Sequence, residues 1–143
     1  MWIFPQRGHM IIQKEIKKIV LDLSQHNHAE VELSGFTISI DSYEQGSWVS
    51  LSTAVYRGGS YIPPSVRQSI NEKPLFLRGA LNAELKLFEE SFLIKLVCLK
   101  KLNCIDCPEF FNLLEDFRWL AGKWRDYLDE NDQNDLVYIY KNK

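Results

Sequence analysis

Between Leu81 and Leu99 the chain carries two runs of period two, separated by Glu89-Glu90-Ser91, and this pattern most narrows what it can fold into. In the first run Leu81, Ala83, Leu85 and Leu87 share one side, with Asn82, Glu84 and Lys86 opposite. In the second, Phe92, Ile94, Leu96 and Cys98 point one way and Leu93, Val97 and Leu99 the other. Two such runs joined by a tight polar turn form an antiparallel hairpin. A strand apolar on both sides is usually covered on both, by helices or by another subunit.

The flanking sequence supplies those covers. Ile11, Ile12, Ile16, Ile19, Val20 and Leu23 form the stripe of an amphipathic helix from Met10 to Ser24, which the polar "SQHNHAE" ends. Val31 and Leu33 alternate, Ser34-Gly35 interrupts, and Phe36, Ile38 and Ile40 resume the strand pattern before Asp41. After the turn "EQGS", Val49, Leu51, Thr53 and Val55 share a face in a further strand. "PPSVRQSINE" reads as a short helix with proline in its first turn, which Pro74 stops. A long helix follows Pro108, striped by Phe110, Phe111, Leu114, Phe117, Leu120, Ala121, Trp124 and Leu128.

The expected order is α-β-β-α-β-β-α, an α+β class with a mostly antiparallel twisted sheet flanked by helices. Residues 10–130 are expected to form a single domain, behind a disordered leader at 1–9 or a start at Met10. The acidic "DENDQND" is expected to break the last helix, leaving 131–143 as a tail in which "LVYIY" is an edge strand or loose.

Composition removes several function classes. The chain has 143 residues, 45% hydrophobic and 25% charged, enough to bury a core without metal or disulfide support. A net charge of -2 lacks the clustered basic surface that phosphate neutralisation requires, so no nucleic-acid partner is expected. Lys14, Lys17 and Lys18 lie on the polar side of the first helix, a solvated face. No stretch reaches the length of a membrane span, and "MWIFPQRGHM" lacks the core and cleavage site of a signal peptide. Three cysteines, an odd number, fit reduced thiols in a cytoplasmic protein.

Catalytic patterns are equally sparse. No G-x-S-x-G elbow or H-E-x-x-H is present, and Arg57-Gly58-Gly59 lacks the lysine and helix of a phosphate loop. His26 and His28 sit in a polar connector without nearby ligands, so neither a metal nor another cofactor is expected. Cys104 and Cys107 stand between a strand and a helix, as a redox dithiol would. They come late in the chain, however, after the last strong strand and outside a βαβ unit. Pro108 at the first helical position and Glu109 beside the positive helix end account for the segment as a structural corner.

The stretch "FLRGALNAELKLFEESFLIKLVCLKKLNCIDCPEFFNLLEDFRWLAGKWRDYL" resembles the C-terminal half of class I type III secretion chaperones, the CesT/SycE-like family. The shared pattern is a strand pair, a corner, and a final helix carrying Phe110, Leu114, Phe117 and "WRDYL". "FTISID" resembles that family's first strand. The middle helix departs from it, with fewer apolar residues than is usual.

The resemblance implies a cytoplasmic homodimer that binds the N-terminal segment of secreted effectors and keeps it extended for export without ATP. On that basis Phe92, Ile94, Leu96 and Leu99 are candidates for the dimer interface, and Val31, Leu33, Phe36 and Trp48 for effector contact. The alternatives are a regulator or adaptor with the same fold, or a thiol redox protein using Cys104 and Cys107.

Overall fold

The structure is a computed structural model and describes residues 13–71, 76, 78, 81–103 and 108–141. Helix α1 (Gln13–His26) seats Ile16, Ile19 and Leu23 in the core and leaves Lys17 and Lys18 in water. Strand β1 (His28–Leu33) follows, then β2 (Phe36–Tyr43), β3 (Trp48–Arg57), the short helix α2 (Pro64–Gln68), β4 (Ala83–Phe88), β5 (Leu93–Lys101) and helix α3 (Pro108–Lys141). The strands form one five-stranded sheet in the order β1-β2-β3-β5-β4, antiparallel throughout.

The α+β class and the antiparallel sheet are as expected, but the order contains one more strand, α-β-β-β-α-β-β-α. Ser34-Gly35 does not merely interrupt a strand; it reverses it. Both residues have positive φ, 51° and 86°, and Leu33 pairs directly with Phe36. That is the two-residue turn whose twist matches paired antiparallel strands. Glycine at the second position carries the left-handed backbone without steric cost.

One face of the sheet is dry. Ile38, Ile40, Val49, Leu51, Ile94 and Leu96 are each 0% exposed beneath the helices. Helix α3 presents Phe110, Leu114, Phe117, Leu120, Ala121, Trp124 and Leu128 to this face, a stripe at helical spacing. At 34 residues α3 is about 51 Å long and runs through the acidic stretch to Lys141. The expected break at 129–135 is therefore absent. Part of the reason is tertiary: Asn131 accepts a hydrogen bond from Ser65 and donates one to Ser69, fastening α3 to the α2 region. Phe76 adds an edge-on aromatic contact with Trp124 at 5.1 Å. The leader at 1–9 lies outside the described residues.

Candidate interaction surface

The other face of the sheet is uncovered among the described residues, and its side chains follow from strand alternation. Thr37, Ser39, Ser50, Ser52 and Ala54 give the central strands β2 and β3 a floor of small side chains. On β5 the same face carries Leu93, Lys95, Val97 and Leu99, with Leu99 57% exposed. Tyr43 and Trp48 are direct cross-strand partners at the β2–β3 turn, and Tyr43 is 50% exposed. Together Tyr43, Trp48, Val97 and Leu99 border an open concavity whose polar rim includes Glu44, Asn82, Glu84 and Lys86. Aromatic rings beside small residues make an apolar surface that water covers poorly.

The turn that sets Tyr43 and Trp48 is strained. Glu44 and Gln45 both take positive φ, 50° and 59°, before Gly46 at 87°. Non-glycine residues pay for that backbone, which neighbouring structure must hold in place. Here Ser47 donates its hydroxyl to the Glu44 carbonyl at 2.8 Å, and Leu102 N–H donates to the Ser47 carbonyl at 2.8 Å.

Charge divides across the open face. Glu30 and Glu32 lie exposed on β1, and His28 Nδ1 donates to Asp41 at 2.8 Å. The Asp41 hydrogen bond holds the His28 pKa above its ordinary value, outweighing the small desolvation that lowers it, and Glu30 at 3.7 Å adds attraction. On the opposite side Lys86 of β4 stands directly across from Lys95 of β5. Lys95 also lies over the Phe88 ring at 5.0 Å.

The residues singled out from sequence divide between the two faces. Ile94 and Leu96 are 0% exposed, and Val31, Leu33 and Phe36 are 8%, 4% and 5% exposed, all on the helix-covered side. Each is core of the single chain, and Phe36 is further capped by the Arg125 guanidinium at 4.5 Å. Their burial removes them from the contact surface of the folded chain. Phe92 is half-buried in a left-handed turn position, φ 54°, and does not join the others. Leu99 and Trp48 remain, both on the open face, although sequence assigned them different roles. Tyr43 and Val97 beside them were missed, yet alternation from Trp48 and Leu99 marks both.

Cys104 and Cys107 lie outside the described residues. Cys98 is buried, and burial pushes its thiol pKa up to about 12, the reverse of a reactive thiol. Among the described residues no cluster of three His, Cys, Asp or Glu is arranged to hold a metal ion. Nor is any helix among them long and apolar enough to cross a membrane.

No protein-family model matches the chain. No curated protein matches it either. Among solved structures it is similar to a chain in "Structure of the HopA1-SchA Chaperone-Effector Complex", with 12% identity over 81% of this chain and 99% of that one, and a TM-score of 0.48.

Proposed function

We propose that this chain is a cytoplasmic type III secretion chaperone, a homodimer that binds the N-terminal segment of a secreted effector. The segment is held extended and export-competent by binding alone, without ATP, cofactor or catalytic step. The observation that carries this reading is the open sheet face. Tyr43, Trp48, Val97 and Leu99 form an apolar border on a surface otherwise floored by serines and threonine. The sequence resemblance of the β4–β5 hairpin and α3 to the chaperone family supports it independently.

The physics suits an unfolded client. An extended chain alternates its side chains, so apolar residues on one side can enter the concavity while the other side stays wet. Ordering such a segment costs conformational entropy, which favours a broad surface over a small deep pocket. The small floor on β2 and β3 admits the client backbone, and the Tyr43–Trp48 pair supplies large contact area with few rotors to immobilise.

Affinity capture from the native host, read by mass spectrometry, tests the proposal. A larger protein retained through its N-terminal segment, and released when that segment is deleted, is the expected result. Recovery of a transcription factor alone would replace the chaperone reading with that of a regulator.

A further inference from the structure

The open face carries charge at both borders, but only one border satisfies its own. On the β1 side Glu30 lies 3.7 Å from His28, Asp41 accepts from His28 at 2.8 Å, and Glu32 accepts from the Thr37 hydroxyl at 3.2 Å. On the β5 side Lys95 stands opposite Lys86 of β4. Arg57 of β3 stands opposite Leu93, the open-side residue next to Lys95. Among the described residues, none of Arg57, Lys86 and Lys95 joins an ion pair.

We propose that these cations seat an acidic side chain of the client segment, so that the open face selects an extended stretch with Asp or Glu four residues from an apolar residue. This rests on the client-binding reading above and names the chemistry of the segment it holds.

The placement of the lysines points to a missing anion. Like charges directly opposed destabilise a strand pair, and a carboxylate set between Lys86 and Lys95 turns that repulsion into two attractions. The chain supplies no such group from its own strands. Glu84, the one carboxylate on the open side of β4 and β5, stands opposite Val97 and forms no ion pair. The Phe88 ring lies 5.0 Å from the Lys95 ammonium, which it attracts without neutralising.

The strand geometry then fixes the pattern. Leu99 and Lys95 are four residues apart on β5, about 13 Å along the strand. An extended segment lying along β5 covers that distance in two inward-facing steps. Its apolar side chain meets Leu99 and Trp48, the next inward residue meets Val97, and the one after meets the cations. The opposite border repels an acidic residue. Glu30 faces Ser39, Ser39 faces Ser52 and Ser52 faces Val97, so the glutamates stand three strand spacings away, about 14 Å. A charged segment is therefore accepted at one border and rejected at the other. Exposed ion pairs are individually weak, so this contact discriminates among segments while the apolar border supplies affinity.

A random peptide library displayed on phage, selected on the immobilised full chain and on a Lys86→Glu/Lys95→Glu variant, tests the inference. Circular dichroism verifies that the variants fold, and binding that Trp48→Ala abolishes is assigned to the open face. Among those peptides the wild type is expected to enrich Asp or Glu four residues from an apolar residue, relative to the unselected library. The charge-reversed variant should enrich Lys or Arg at that place. In fluorescence anisotropy, changing the acidic residue of a selected peptide to Gln should weaken binding to the wild type about threefold. The same change should leave binding to a Lys86→Gln/Lys95→Gln variant unaltered. Open-face peptides without an acidic preference, or with one that charge reversal does not move, overturn the acidic seat and leave the client-binding surface intact. If no selected peptide depends on Trp48, the surface and the seat both fall.

Discussion

Leu96 and Leu99 sit three residues apart on one strand but on opposite faces, and truncating each separates core from contact surface. Leu96 is 0% exposed, paired across to Thr53 on β3 and Leu85 on β4, on the helix-covered side. Shortening it to alanine removes three carbons from a dry site, a transfer loss of about 2.4 kcal/mol. The unrelaxed cavity raises the total to about 3–4 kcal/mol. For a chain of this size that lowers the melting temperature by about 8–12 °C. Leu99 is 57% exposed, and Leu99→Ala should cost less than about 0.5 kcal/mol. The assay is urea unfolding followed by circular dichroism at several protein concentrations, since association adds apparent stability. Comparable costs for the two variants, or a larger one for Leu99→Ala, would refute the assignment of the helix-covered face as the core.

Further outcomes follow from individual sites. Gly35→Ala should destabilise the chain by about 1 kcal/mol in thermal melts, because φ of +86° disfavours any Cβ even with Arg125 no nearer than 3.9 Å. His28 should titrate above its usual 6.5 in NMR, and Asp41→Asn should bring it down, since the Asp41 hydrogen bond is the main cause. The sign of its small stability contribution is fixed by that direction: present in full below the unfolded pKa, and lost as pH rises through the folded one. In a Cys104→Ser/Cys107→Ser variant, Cys98 should resist thiol reagents at pH 8 until the protein unfolds, because burial holds its pKa near 12. Rapid labelling in the folded state would show that the strand opens locally.

Much of the fold is legible in the residues. The period of two at 81–99 and the stripe from Phe110 to Leu128 place the β4–β5 hairpin and α3, because strong amphipathic patterns survive tertiary packing. The β1–β2 reversal was less visible. Val31, Leu33, Phe36, Ile38 and Ile40 all face the core, and the apolar pattern slips by one residue across Ser34-Gly35, a slip that a bulge within one strand would also produce. Only turn chemistry distinguishes a reversal from an interruption there. The acidic stretch from Asp129 reads as solvated, but its partners come from far along the chain: Ser65 and Ser69 hold Asn131.

The candidate site divides in the same way. Alternation finds both faces of β5, but it cannot say which face the helices take. Assigning contact roles to Ile94, Leu96, Val31, Leu33 and Phe36 selected the dry side. The open side is marked by what apolar counting overlooks, the serines at 39, 50 and 52 with one aromatic pair at their end.

Hydroxyl-radical footprinting of the chain, alone and bound to the N-terminal segment of its captured partner, tests the central claim most directly. Tyr43, Trp48 and Leu99 should lose reactivity in the complex, while Leu21 and Tyr61, 53% and 51% exposed outside the concavity, should keep it. Protection of Leu21 or Tyr61 with Tyr43, Trp48 and Leu99 unchanged would contradict the account.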